Sequence, residues 1–252
     1  MPITRWIEQE TCVAKSFALL AHESISQKRK YGSGVVKPEP YYFHPLKVAS
    51  LVESKLYEDY YVDEDNDTKK KEIISVIEAA AMHDIIEDVS PLVIAGSATT
   101  PFPNTNSFMP KEMVEGFGST TVGLILEVTN VYTKSAAAQQ IVRETVHALK
   151  LSVSDKQLDD MFELANLSNR ALRKQYEAKR LATISPLARL IKMADLFDNA
   201  HSMVGAPEDF KERWFAEKAE LDALLGKWED LPEQVTVAWV KENLRPFESA
   251  TT

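Results

Sequence analysis

The stretch that decides the fold of this chain is residues 73–88, IISVIEAAAMHDIIED. Its first ten residues form an apolar run without Gly or Pro that is longer than a typical strand, which predicts a buried helix. Four ionisable side chains close the stretch, namely His83, Asp84, Glu87 and Asp88. Because burying an unpaired charge costs several kcal/mol, such a cluster is typical of a metal site, a hydrogen-bond network or a catalytic centre.

The spacing within this cluster separates two kinds of polar group. If the helix continues through it, His83 and Glu87 lie one turn apart, and so do Asp84 and Asp88. Neighbouring faces then carry two potential metal ligands and two further carboxylates. Metal-assisted hydrolysis needs this combination, because some groups hold the ion while others handle the attacking water.

The rest of the chain is also predicted to be helical. Prolines in first turns, a serine capping box and glycines at helix ends delimit the segments. The predicted helices lie near residues 4–22, 44–56, 111–117, 119–128, 137–150, 155–166, 169–183, 186–203, 208–228 and 232–244. No alternating strand pattern interrupts them, so the predicted fold class is all-α.

Two long segments, 23–42 and 90–109, carry Gly and Pro residues that predict loops. The second follows the polar cluster directly, so we expect it to be disordered or to form a lid. The single cysteine, Cys12, excludes an intramolecular disulfide and a cage of thiolates. Its helical spacing with Val13 and Phe17 predicts a thiol packed in the core.

Composition limits the classes of function. The 252 residues are 44% hydrophobic and 27% charged, which is typical of a soluble globular protein. No apolar run approaches the roughly 20 residues of a membrane helix, and the N-terminus lacks the apolar region of a signal peptide, so we expect a cytoplasmic protein without a membrane partner. The net charge of −9 argues against a nucleic-acid polymer as partner but allows a small phosphorylated ligand in a local basic pocket.

A second polar island lies on the apolar segment 187–203, LARLIKMADLFDNAHSM, where Asp195 and Asn199 are one turn apart. An isolated buried Asp more often makes a packing hydrogen bond, and a lone His beside proline, such as His44, is more often structural. Together with His83 and Asp84, however, they form a set of two imidazoles and two carboxylates. Mixed nitrogen and oxygen ligands of this kind suit Mn²⁺, Fe²⁺ or Zn²⁺.

The order of these residues resembles the H…HD…D signature of the HD-domain metal-dependent phosphohydrolases. In more detail, the chain resembles the hydrolase domain of the RelA/SpoT family and its stand-alone small alarmone hydrolases. The matching segments are Gln27-x-Arg29-Lys30, Pro40-Tyr41-x-x-His44-Pro45-x-x-Val48-Ala49, His83-Asp84-x-x-Glu87-Asp88, Phe117-Gly118 and Lys192-x-Ala194-Asp195-x-x-x-Asn199.

This resemblance implies an HD-domain helical bundle over residues 1–205, with 206–252 as a helical extension packed on the same domain. It implies Mn²⁺-dependent removal of the 3′-pyrophosphate from guanosine tetra- or pentaphosphate; other divalent transition metals stay possible. The implied metal ligands are His44, His83, Asp84 and Asp195. Glu87 and Asp88 would position or deprotonate the attacking water.

The implied substrate contacts are more dispersed along the chain. Arg29 and Lys30 would contact the nucleotide, and Asn199 the nucleoside side of the pocket. Tyr176 and Lys179, on the helix before Pro186, are candidates for phosphate contacts.

Departures from the family pattern leave alternatives open. Leu196, Asp198 and His201 stand where long bifunctional members commonly have Arg, His and Arg, and nothing after Met203 resembles a synthetase domain. The alternatives are an HD phosphohydrolase acting on another nucleotide, such as the 2′-phosphate of NADPH or a nucleoside phosphate, and a non-catalytic nucleotide-binding module. The sequence does not fix the oligomeric state.

Overall fold

A computed structural model of the protein describes residues 3–29, 39–59, 67–96 and 105–225. Its α-helices, in chain order, are α1 (Ile3–Ser24), α2 (Phe43–Asp59), α3 (Asp67–Met82), α4 (Ser90–Ile94), α5 (Pro110–Val128), α6 (Ala136–Ala148), α7 (Asp155–Leu167), α8 (Arg170–Leu181), α9 (Pro186–Ser202) and α10 (Glu208–Leu225). The prediction of an all-α fold is confirmed. The helix predicted at 232–244 lies outside the described residues.

The central helix is α3, which packs against α1, α2, α5 and α9. Its residues 79–82, three alanines and a methionine, are completely buried, as are Val76 and Ile77. Small side chains let neighbouring helices approach closely, while Ile77 and Met82 fill the remaining volume. The predicted buried helix over 73–82 is therefore confirmed.

The prediction that the helix continues through the polar cluster is wrong. The α-helix ends at Met82, His83 and Asp84 form a turn, and residues Ile85–Val89 form a π-helical turn. The imidazole Nδ1 of His83 donates to the carbonyl of Ala80 at 2.8 Å, and the backbone N–H of Ser90 donates to the carbonyl of Ile85. The Ser90 hydroxyl lies 2.5 Å from the carbonyl of Phe108 and 3.2 Å from that of Ile85. The bond to Ala80 satisfies one carbonyl at the end of α3, and the bond from the Ser90 N–H to Ile85 has the five-residue spacing of a π-helical turn.

A two-stranded antiparallel sheet closes one of the predicted loops. Strands β1 (Lys28–Arg29) and β2 (Glu39–Pro40) pair with Lys28 opposite Pro40. Two residues are too few for an alternating pattern, so these strands could not be predicted from the sequence. The pairing brings the segment before residue 30 against the start of α2, where the site lies.

The second predicted loop is partly helical. Residues 90–94 form α4, with Pro91 in its first turn, and Thr105–Phe108 form a 3-10 helix. Proline is tolerated there because the N–H it lacks would have no helical partner. Residues 97–104, the middle of the predicted lid, lie outside the described residues.

A break at Gly118, predicted from the sequence, is confirmed within α5. Gly118 has φ 87° and ψ 161°, a conformation that favours glycine because it has no Cβ. Later boundaries also agree with prediction: Ser154 and Gln157 form a capping box, and Ser185 accepts from the N–H of Ala188 ahead of α9.

The prediction that the Cys12 thiol packs in the core is wrong. Cys12 is exposed, and Val13 is 63% exposed. The buried positions among the described side chains of α1 are instead Ile7, Thr11, Ala14, Ala18, Ala21, His22 and Ser24. Small residues define this face because α1 lies close against α3. None of the helices in the described ranges has the length and apolar character needed to cross a membrane.

Candidate functional site

Three separate elements bring the four predicted ligands together. His44 lies in the first turn of α2, His83 and Asp84 follow α3, and Asp195 lies on α9. Asp84 Oδ2 is 3.5 Å from His44 Nε2 and 3.2 Å from His83 Nε2. Asp195 Oδ1 is 3.1 Å and 3.7 Å from the same two nitrogens. One oxygen of each carboxylate therefore faces both imidazoles.

The imidazole tautomers leave two lone pairs directed at this point. Nδ1 of His44 donates to Asp198 Oδ2 at 2.7 Å, and Nδ1 of His83 donates to the Ala80 carbonyl. Each proton thus sits on Nδ1. Both Nε2 atoms are buried, and neither makes a hydrogen bond with a described residue. A divalent cation fits this donor set, because it would accept both lone pairs and neutralise both carboxylates.

In this site, burial and the neighbouring charges shift the pKa values of the carboxylates and imidazoles in opposite directions. Burial by itself would raise the pKa of Asp84, but attraction to His83 and His44 lowers it. For Asp195, attraction to Lys192 and the proximity of the two imidazoles outweigh burial and hold the pKa well below its usual range. Burial would lower the pKa of His83, but Asp84 and Asp195 raise it. Protons therefore occupy these groups when no metal is bound, and a metal has to displace them to bind.

Hydrogen bonds from residues outside the proposed ligand set hold two of the ligands, His44 and Asp195, in position. Arg29, only 5% exposed, donates from Nη1 to Asp198 Oδ2 at 2.6 Å and from Nη2 to Asn199 Oδ1 at 3.1 Å. Asn199 in turn donates to Asp195 Oδ1 at 2.5 Å, and Asp198 holds His44. Outer partners of this kind orient metal ligands. The prediction that Arg29 contacts a nucleotide stays untested; here its guanidinium is engaged with Asp198 and Asn199. Lys30 lies outside the described residues.

The two remaining carboxylates of the π-helical turn differ from the predicted ligands. Glu87 Oε2 accepts the backbone N–H of Asn130 at 3.1 Å, and Asp88 Oδ2 accepts from the amide of Gln27 at 2.7 Å. Burial, despite attraction to Lys192, raises the pKa of Glu87. Burial and repulsion from Asp84 and Glu87 raise the pKa of Asp88 to about 7. Carboxylates with opposite pKa shifts are typical of a divided role, in which one group binds and the other exchanges protons.

This raised pKa makes a prediction about stability. The pKa of Asp88 is 3.8 in the unfolded chain and about 7 in the folded protein, so the folded protein binds this proton more tightly. Stability therefore falls as the pH rises from about 4 to about 7, where only the unfolded chain has lost the proton. At about 1.4 kcal/mol per pKa unit, the penalty reaches about 4 kcal/mol at pH 8. Asp88→Asn removes it and keeps an acceptor for Gln27. In metal-free protein, the gain in the free energy of unfolding should be larger at pH 8 than at pH 5, as measured by urea denaturation.

The control for this prediction is Asp160→Asn, which changes an exposed carboxylate on α7. It should leave stability unchanged at both pH values. An equal gain for Asp88→Asn at pH 5 and pH 8 would contradict the raised pKa.

A cavity of about 190 Å³ opens beside these groups. Tyr41 borders it and donates its hydroxyl to Asp84 Oδ2 at 2.7 Å. Three lysines from three consecutive helices also line it: Lys174 of α8, Lys192 of α9 and Lys218 of α10. Burial and repulsion from the other two lysines lower the pKa of Lys218 to about 8. The walls of the cavity thus carry both carboxylates and cations, an arrangement suited to a metal ion and an anion bound side by side.

Two predicted phosphate contacts lie elsewhere. The face of α8 that lines the cavity consists of Lys174, Glu177, Ala178 and Leu181. Tyr176 instead stacks on Tyr132, with ring centroids 5.5 Å apart, and Lys179 is exposed. The spacing i, i+3, i+4, i+7 from Lys174 could have identified this face. Lys174 and Lys218 were not predicted to line the site, and Lys192 appeared in a matching segment without a predicted role.

No protein-family model and no curated protein matches this chain. Among solved structures, it is similar to a metazoan ortholog of SpoT, described as hydrolysing ppGpp and playing a role in starvation responses. The two chains are 18% identical, the TM-score is 0.55, and the similarity covers 96% of this chain and 97% of that one. At this identity the similarity shows the fold alone, which is the HD-domain helical fold.

Proposed function

We propose that this protein is a metal-dependent phosphohydrolase that removes the 3′-pyrophosphate of guanosine tetra- or pentaphosphate, giving GDP or GTP and pyrophosphate. The observation that carries the hydrolase proposal is the pair of buried Nε2 atoms, on His44 and His83, that face Asp84 and Asp195 without hydrogen-bond partners in the described ranges. The choice of substrate is supported by the sequence motifs and by the activity of the metazoan protein with the same fold.

The proposed ion is Mn²⁺ or another divalent transition metal, held by His44, His83, Asp84 and Asp195. When bound, such an ion polarises a phosphate oxygen and lowers the pKa of a water molecule. It also balances charge. Six carboxylates and three lysines line the cavity, so a phosphorylated substrate enters more readily once a cation has offset the excess of negative charge.

Three residues near the proposed metal ligands have separate proposed roles in the reaction. Asp88, with a pKa of about 7 in the metal-free protein, is suited to accept a proton from the attacking water near neutral pH. Glu87, fixed by the N–H of Asn130, orients that water. Lys192 lines the cavity and its Nζ is 2.7 Å from Asp195 Oδ2. Attraction to Asp195 and Glu87 raises its pKa despite burial. It therefore stays charged and can bind a phosphate oxygen.

The proposal is tested by incubating purified protein and Mn²⁺ with ppGpp, NADPH and common nucleotides. We expect hydrolysis of ppGpp to GDP and pyrophosphate, with chelation of the metal abolishing turnover. Preferred release of phosphate from NADPH would replace the proposed substrate while keeping the chemistry. Absence of turnover on every compound, despite bound Mn²⁺, would favour a non-catalytic nucleotide-binding module and overturn the proposal.

A further inference from the structure

A basic cleft adjoins the cavity described above. Its volume is about 190 Å³, and it shares two wall residues, Asn130 and Lys174, with that cavity. The other walls come from residues 132–134 and from Arg170 and Arg173 in the first turn of α8. Among the described residues that line it, four are cationic and none is a carboxylate. The cleft is therefore strongly positive in a chain whose net charge is −9.

Helix stability does not account for these cations. The N-terminus of a helix carries partial positive charge, which favours acidic side chains there, yet the first turn of α8 contains none. Lys134 occupies the equivalent end of α6, directly before its N-cap Ser135. An anion bound in the cleft would meet the side-chain charges beside the residues that begin both helices, where the partial positive charge of each helix adds to them.

Two of the cations lack a fixed partner within the described ranges. Arg170 pairs with Glu217 at 2.8 Å, and Arg173 donates to the carbonyl of Ser168 at 2.9 Å. Lys134 is exposed and makes no hydrogen bond or ion pair with a described residue, and Lys174 makes no direct ion pair with one. Both amines are thus free to bind an anion.

The walls of the cleft are held in place before any ligand binds. Glu177 Oε2 accepts the backbone N–H groups of Val131 and Tyr132 at 3.2 and 3.3 Å, which fixes the loop before α6 to α8. Asn130 lies at the boundary with the larger cavity. Its amide oxygen is buried and accepts no hydrogen bond from a described residue. A sugar hydroxyl would supply the missing donor.

We propose that this cleft binds the phosphate-bearing end of the substrate that is remote from the bond being broken. The ligand then has two separate phosphorylated ends joined by a sugar: one end lies at the candidate metal centre, the sugar passes Asn130, and the other end reaches Lys134 and Arg173. Lys174 contacts the ligand where the cavity and the cleft meet. This inference rests on the proposed function, because ppGpp carries pyrophosphate groups at two positions of one ribose. It assigns recognition of the 5′-diphosphate to the cleft.

The first test measures binding without turnover. Inorganic pyrophosphate is titrated into chelator-treated protein, wild type and Lys134→Glu, by calorimetry. Since hydrogen bonds to charged groups are among the stronger ones, we expect the variant to bind about tenfold more weakly or worse. The matched control is Lys156→Glu, an exposed lysine on α7, which should bind as wild type does. Equal affinity for wild type and Lys134→Glu, or equal weakening in the control, would overturn the cleft as an anion site, whatever the enzyme assays show.

The second test distinguishes a substrate end from free phosphate. KM and kcat are compared for ppGpp and for a guanosine that carries pyrophosphate only at its 3′ position. Lys134→Glu should raise KM for ppGpp about tenfold with little change in kcat, and leave KM for the one-ended compound unchanged. Weaker pyrophosphate binding with unchanged KM for ppGpp would overturn the assignment to the substrate. If wild type hydrolyses neither compound, the proposed function fails, while the calorimetric test still decides on the cleft.

Discussion

Replacing Glu87 by Gln and Asp88 by Asn together is expected to lower kcat by at least about 10²–10⁴-fold while Mn²⁺ stays bound, because general acid–base assistance is typically of that size. The amide side chains keep the shape of the carboxylates. Their oxygens can still accept from the N–H of Asn130 and the amide of Gln27, the two bonds that position these residues. What the double variant lacks is negative charge and basicity, so a lower rate would measure proton handling alone.

The matched control is the double variant Asp160→Asn/Glu163→Gln, which removes two exposed carboxylates from α7. Single-turnover rates should be unchanged in the control. If Glu87 and Asp88 are only solvated or packing carboxylates, their replacement should change the rate by less than about threefold. Near wild-type hydrolysis with metal bound would refute the proposed mechanism, whereas loss of the metal would make the two residues ligands.

Asp84→Ala is expected to remove bound Mn²⁺ and with it all metal-dependent turnover. One oxygen of Asp84 faces both unpaired Nε2 atoms, and loss of a ligand should cost more than the about 10–100-fold in affinity that follows loss of an outer partner. Helix content should remain, because α3 is held by the burial of its apolar side chains Val76, Ile77 and those of residues 79–82.

Elemental analysis after desalting measures the metal, and circular dichroism measures the fold. Glu78→Gln provides a control on the same helix, since Glu78 accepts from Thr121 at 3.0 Å and its replacement leaves the proposed ligands untouched. Undiminished Mn²⁺ in both Asp84→Ala and His83→Ala would rule out the metal assignment.

Residues that are distant in sequence could be predicted to share one site because each is a polar side chain in an otherwise apolar helical segment. His83, Asp84 and Asp195 would each be costly to bury alone, so their convergence was a direct inference from pattern. The helix boundaries of the second half were equally accessible, since caps such as Ser154 and Ser185 act locally.

Features that depend on tertiary contacts were not accessible in this way. The π-helical turn depends on where Ser90 bonds, and the same residues could have continued an α-helix. Cys12 was wrongly predicted to be buried, because helical spacing alone does not show that the face of α1 toward α3 is formed largely by small residues that permit close packing. Lys218 lies outside the recognised motifs, on α10, and only the packing of α10 against α8 brings it to the cavity.

The separation of the proposed ligands along the chain has a consequence for folding. An ion held by residues 44, 83, 84 and 195 would act as a cross-link between α2, the turn after α3, and α9. With one cysteine, the chain has no disulfide of its own to restrict the unfolded state. A ligand that binds only the folded protein adds about 2.7 kcal/mol of stability at a hundred times its dissociation constant. Metal concentration would thereby affect the stability of the folded protein as well as its proposed rate of catalysis.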